Sequence, residues 1–164
     1  MPVAGSETTV SSAPPVSLVV LELDGRRLAL PIAHVIEVLR MVAITPLPDA
    51  PEWVAGVINV RGDIVPVIDL RTRLGVELRP YGLDTPILVV SACGRRMAVV
   101  PDAAVEVRDL PSADVEDPHD LVGDEHPISH LARIEGRVVP VLLLDRICDG
   151  AQTLTLPADD LSAA

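Results

Sequence analysis

Residues 59–70 read NVRGDIVPVIDL, and residues 133–144 read RIEGRVVPVLLL. Superposing Gly62 on Gly136 matches Val65, Pro66, Val67 and Leu70 with Val139, Pro140, Val141 and Leu144. Each stretch is a strand end, an X-Gly pair and a run rich in Val, Ile and Leu, the pattern of a β-hairpin whose turn needs positive φ. The repetition extends upstream. Superposing Gly25 on Gly94 lays GRRLALPIAHVIEV over GRRMAVVPDAAVEV, with both arginines in register and Ala29, Glu37 and Val38 over Ala98, Glu106 and Val107. The spacing is 69 residues at the first glycine pair and 74 at the second, so the second copy has the longer centre. A unit of about 60–70 residues used twice describes two related subdomains and not a solenoid.

Working outward, short apolar runs punctuated by Gly, Pro and Asp fill the chain from 17 to 145. They are SLVVLEL (17–23), RRLALPI (26–32), HVIEVLRMV (34–42), AGVINV (55–60), DIVPVID (63–69), PILVVSA (86–92), RRMAVV (95–100), AVEVRDL (104–110), LARIE (131–135) and RVVPVLLLD (137–145). This is the pattern of an all-β domain of about ten strands. Hairpin turns are expected at Asp24-Gly25, Arg61-Gly62, Cys93-Gly94 and Glu135-Gly136. Five strands per unit suit a small closed barrel, which removes exposed sheet edges. Asp69 can cap a helical turn from Leu70 to Leu74 that Gly75 ends, and Asp145 to Gly150 offers another. Pro66 and Pro140 lack a ladder donor and are expected at an edge or bulge. Residues 1–16 and 150–164 read as tails around one domain, 17–149, whose subdomains run over about 18–85 and 86–149 with room for strands to be exchanged.

Composition narrows the function. The 164 residues carry a net charge of -11, and all 13 basic residues are Arg. That charge disfavours nucleic acid and anionic membrane as partners. It is concentrated in 101–132, where nine acids face Arg108 alone. No run approaches the roughly 18 apolar residues of a membrane span, and the N-terminus has no signal-like basic and apolar start, so direct membrane insertion is not expected and a cytoplasmic chain is. Cys93 and Cys148 stand far apart in no C-x-x-C and are expected as reduced, packed thiols. Phosphate-cradle, nucleophile-elbow and zincin motifs are absent, so no catalytic residue and no cofactor is assigned. His119, His126 and His130, with Asp120, Asp124 and Glu125, are the one metal-like cluster; their spacing matches no structural zinc pattern, so no metal site is assigned, and a metal-binding sensor stands as a minor alternative.

The two copies differ where Asn59-Val60-Arg61-Gly62 faces Arg133-Ile134-Glu135-Gly136. Turn geometry accounts for Gly62 but not for Arg61. A guanidinium at a hairpin rim can fork onto a carboxylate, either Glu37 within the fold or an acid in a partner. Trp53 is either a core plug or an exposed anchor.

The pattern P-x-x-P-x-W-x-x-G-V-x-N-x-R-G-x-x-x-P-V-x-D-L, met by Pro48, Pro51, Trp53, Gly56, Val57, Asn59, Arg61, Gly62, Pro66, Val67, Asp69 and Leu70, resembles the CheW family of chemotaxis coupling proteins over residues 17–149. The resemblance implies two five-stranded β-barrels of the Src-homology-3 type around a shared core. It implies an adaptor, without catalysis, between the cytoplasmic tips of methyl-accepting chemoreceptors and the regulatory domain of the histidine kinase CheA. Val35, Glu37, Gly56, Asn59 and Arg61 would then lie at the receptor groove, and hydrophobic rim residues such as Ile44 and Val57 at the kinase face. A scaffold of the same fold in a different sensory or motility pathway is the alternative. Ser129-His130 stands where the family carries a glycine, and VVPDAAVEV replaces its commoner V-D-x-V.

Overall fold

The computed structural model describes residues 13–118 and 126–151. The first copy supplies β1 (Val16–Leu23), β2 (Arg26–Pro31), β3 (Val35–Leu39), β4 (Val54–Val60), β5 (Asp63–Asp69) and the helical turn α1 (Leu70–Arg73). The second supplies β6 (Ile87–Ala92), β7 (Arg95–Val100), β8 (Ala103–Leu110), the two-residue β9 (Val115–Glu116), β10 (Ile128–Ile134), β11 (Arg137–Leu142) and α2 (Leu144–Ile147). The fold is all-β with short helical turns. Asp69 caps α1, its carboxylate accepting from the Arg71 and Thr72 amides.

All four hairpin tips turn as their sequences require. Asp24 and Gly25 have φ of 53° and 72°, Arg61 and Gly62 51° and 91°, Cys93 and Gly94 51° and 70°, Glu135 and Gly136 51° and 73°. Two successive positive φ values match the right-handed twist of the flanking strands. Glu135 is therefore a turn residue and not the end of a strand. The expected strand 34–42 is shorter too: a 3-10 turn occupies 32–34, and β3 stops at Leu39.

The sheets do not follow the halves of the sequence. One has the order β8-β1-β2-β11-β10-β9 and the other β3-β6-β7-β5-β4, so each copy contributes its first hairpin to the sheet that holds the rest of the other copy. The register repeats with the sequence. Val19 faces Leu30 as Leu88 faces Val99, and Ile58 faces Val65 as Ala132 faces Val139. The parallel contacts are equivalent as well, Val67 with Ala98 and Val141 with Ala29. Even the bulges recur, between Val54 and Gly56 and between Ile128 and His130.

This exchange explains why the strands are apolar on both faces. Along β6, Ile87 and Val89 enter a cluster made of the five-stranded sheet's own strands and the segments flanking them, whereas Leu88, Val90 and Ala92 enter the core shared by both sheets. Along β1, Leu18 and Val20 face the other sheet's own cluster while Val19, Leu21 and Leu23 face the shared core. Period-2 alternation thus feeds two hydrophobic layers instead of one layer and solvent. Trp53 lies half-buried against the shared core, with the Arg73 guanidinium 4.7 Å over its ring, so it is a plug with a cationic lid.

Pro66 and Pro140 are neither at an edge nor in a bulge. Pro66 pairs with Val57 in the interior strand β5, one residue before the parallel ladder to β7 begins at Val67; Pro140 pairs with Leu131 one residue before the contact of Val141 with Ala29. The missing amide falls where no ladder bond is called for.

Candidate functional site

Strands β3 and β4 are opposite ends of the five-stranded order, yet Arg61 at the β4–β5 tip donates through Nη2 to Glu37 Oε2 of β3 at 3.0 Å. The ion pair therefore links the tip beyond one edge strand to the opposite edge strand, and the line it crosses is the seam of the sheet. Arg61 is 80% exposed and Glu37 21%. A pair this open contributes about 0–1 kcal/mol, too little to hold the seam by itself. What the pair does is hold a guanidinium fork at a hairpin tip, facing solvent beside a carboxylate. Asn59 steadies the same tip, its Oδ1 accepting from the Gly62 amide at 2.8 Å.

Strand β3 also exposes apolar side chains, with Val38 on the face opposite Glu37. Glu37 lies between Ile36 and Val38, which are 46% and 53% exposed, and Ile32 and Val42 are exposed nearby in sequence. The register slips between Val35 and Glu37, so Ile36 has no cross-strand partner on β6. Val35, at the start of the strand, is half-buried against the shared core. The sequence-derived set Glu37, Asn59 and Arg61 therefore meets at the seam, with Val35 at the root of the same strand.

Gly56, on the same strand as Asn59, makes a close contact of its own. Its φ is +148°, and a Cβ there would stand 2.2 Å from the Thr45 carbonyl oxygen and 2.9 Å from Ile44 Cγ2. Thr45 bridges to Val57, each amide donating to the other's carbonyl at 2.9 Å. The glycine thus lets the 40–45 segment lie against β4. It also removes Val57 from the rim where it was expected: with Thr45 laid across the strand, the Val57 side chain is 1% exposed. Ile44 stays half-buried and presents part of its surface.

The second copy builds the equivalent seam with other charges. Glu106 stands at the Glu37 position and Glu135 at the Arg61 position, two acids in place of an acid and a base. Arg108, where the first copy has Leu39, bridges them, with Nε 2.9 Å from Glu106 and Nη2 donating to Glu135. Those two contacts push its guanidinium pKa up.

One buried ionic group was not anticipated. Arg71, 3% exposed, donates through Nε and Nη2 to Asp102 at 2.6 and 2.5 Å and through Nη1 to the Glu77 carbonyl at 2.8 Å. Asp102 also accepts from the Asp24 amide at 2.8 Å, so one carboxylate ties α1 to the β1–β2 tip. The Arg71 hydrogen bonds hold the Asp102 carboxyl below the usual range. Nearby, the buried Asp69 accepts from the Tyr81 hydroxyl, whose pKa is raised by burial and by that carboxylate. The signal was the excess of polar residues around α1, but their partners come from distant sequence.

His119, Asp120, Asp124 and Glu125 of the metal-like cluster lie outside the described residues, and among the described residues no three His, Cys, Asp or Glu side chains form a metal-holding group. No helix among the described residues is long and apolar enough to cross a membrane.

Two sheets that exchange their first hairpins, with an ion pair at a hairpin rim, make an all-β scaffold of two related subdomains. The comparisons with known proteins agree. The family model of the CheW-like domain matches residues 17–152, and the chain belongs to that family. It is 27% identical over 132 residues to the chemotaxis protein CheW of Rhizobium meliloti, covering 79% of this chain and 85% of that one. It is 34% identical over 105 residues to protein FrzA of Myxococcus xanthus, 64% of each chain. Among solved structures, the scaffolding protein TtCheW from Thermoanaerobacter tengcongensis superposes with a TM-score of 0.77 at 31% identity, over 82% of this chain and 93% of that one. The chain is a CheW-like chemotaxis scaffold.

Proposed function

We propose that this chain couples chemoreceptors to the histidine kinase CheA in the cytoplasm, binding both at once and turning nothing over. The observation that carries the reading is the Arg61–Glu37 pair: a pre-oriented, solvent-facing guanidinium at a hairpin tip, held by a carboxylate on a strand that also exposes Ile36 and Val38. Such a surface suits a helical receptor tip that offers a carboxylate and an apolar stripe. Arg61 can exchange Glu37 for a partner acid at little cost, because the internal pair is weak. The kinase regulatory domain is assigned to the patch around Ile44, beside Gly56 and the Thr45–Val57 bridge. Val57 contributes there through its backbone and not its side chain.

The test is a pull-down with a receptor signalling tip and, separately, with the kinase regulatory domain. Capture of both supports coupling; capture of neither defeats it. A second reading, the same scaffold in another sensory pathway, draws on the 34% identity to FrzA and the 43% identity over 68 residues to PilI of Pseudomonas aeruginosa, both higher than the identity to the Rhizobium CheW. It predicts capture of a kinase and receptor from that pathway in preference to those of flagellar chemotaxis.

A further inference from the structure

The exchanged hairpins meet the rest of their own copies at two equivalent joints. At the first, the β1–β2 tip meets α1: Asp24 lies 3.6 Å from Arg71, and both are gripped by Asp102. At the second, the β6–β7 tip meets α2: the Cys93 amide donates to Asp145 Oδ1 at 2.8 Å, and the Cys93 thiol donates to the Asp145 carbonyl at 3.3 Å. Superposing the copies puts Cys93 over Asp24 and Asp145 over Arg71. The buried ion pair that locks the first joint has no counterpart at the second. In its place stand two thiols. Cys148 follows Asp145 by three residues at the end of α2, a spacing that places side chains on one helical face. Cys93 and Cys148 both pack into the shared core, and both are free thiols.

We propose that Cys93 and Cys148 are a dithiol modification site, which closes to an intrachain disulfide by exchange with a low-molecular-weight disulfide such as oxidised glutathione. Cys93 is the entry point, because it is only partly buried at a hairpin tip while Cys148 has no exposed surface. In the first step the Cys93 thiol gives up its proton to solvent and its sulfur attacks one glutathione sulfur. The S–S bond of glutathione breaks, and one glutathione leaves as thiolate and takes a proton. In the second step the Cys148 sulfur, likewise deprotonated, attacks the Cys93 sulfur of the mixed disulfide and expels the second glutathione. The protein loses two protons and two electrons, and one oxidised glutathione becomes two reduced ones. Burial raises both thiol pKa values, that of Cys148 to about 12, which lowers the thiolate fraction that each step needs. The bond would staple α2 to the β6–β7 tip, giving the second joint a covalent lock where the first has an ionic one.

The experiment treats the folded full chain with oxidised glutathione, follows intact mass, and maps peptides without reduction. The expected result is loss of two hydrogens, a Cys93–Cys148 cross-link reversed by dithiothreitol, and a Tm raised by roughly 5 °C or more. Cys148→Ala should stop the reaction at a glutathione adduct on Cys93. If that variant does not fold, Cys93→Ser, altered only at the tip, should show no cross-link and no change in mass. A stable glutathione adduct on Cys93 of the unaltered chain, a cross-link between two chains, or an unmodified protein would each overturn the proposal.

Discussion

The two seams share one backbone and carry different charge sets, an acid and a base in the first and two acids around one arginine in the second. In the first, Glu37 of β3 meets Arg61 at a tip steadied by Asn59. In the second, Glu106 of β8 and Glu135 at the equivalent tip are held together by Arg108. Register, bulges and turn conformation recur between the copies, so these features make the scaffold. At the seams it is the charged side chains that diverge. In the second seam the arginine is 33% exposed and spends its fork on two internal carboxylates; in the first it is 80% exposed and spends it on one. The first tip therefore keeps guanidinium capacity for a partner, whereas the second turns its guanidinium onto internal carboxylates.

The comparison can be broken most severely at Gly56. His130 occupies the equivalent place in β10, so the second copy tolerates a side chain where the first does not. Gly56→Ala drives a Cβ against the Thr45 carbonyl and should cost about 3 kcal/mol or more in urea unfolding, whereas His130→Ala should cost under about 1 kcal/mol. Equal losses would mean that the Thr45 bridge does not distinguish the copies. Next in size is Asp102→Asn, which leaves the Arg71 guanidinium buried without its anion and should cost about 2–3 kcal/mol, discounted for the part-exposure of Asp102. Because the folded Asp102 carboxyl lies below its unfolded pKa of about 3.9, its stabilisation is complete above that pH and fades as pH falls below it. Thermal melts between pH 2 and pH 6 should show a smaller acid loss in Asp102→Asn than in the unaltered chain; parallel curves would remove Asp102 from the account. Asn59→Ala, which deletes one exposed hydrogen bond to the Gly62 amide, should cost about 0.5–1 kcal/mol, and amide exchange at Gly62 should quicken.

Much of this architecture is legible in the chain. The X-Gly pairs state the turns, and the two glycine alignments carry the repeat and its register, while Glu37 could be read only as one of two mates for Arg61. Other features depend on who packs against whom. Pro66 looks like an edge residue until the start of the parallel ladder is known, and Val57 looks like a rim residue until Thr45 is laid across it. The exchange of hairpins leaves only an indirect trace, in strands apolar on both faces. Arg71 and Asp102 stand 31 residues apart with no local pattern linking them.

The central claim is that the first seam is a docking site and not a brace, and Arg61→Ala tests it most directly. Binding of the receptor signalling tip and thermal stability should be measured on the same preparation. The account predicts affinity at least about tenfold weaker, equal to about 1.4 kcal/mol, with Tm moved by no more than about 2 °C. Unchanged affinity, or a fall in Tm large enough to explain the lost binding, would contradict it.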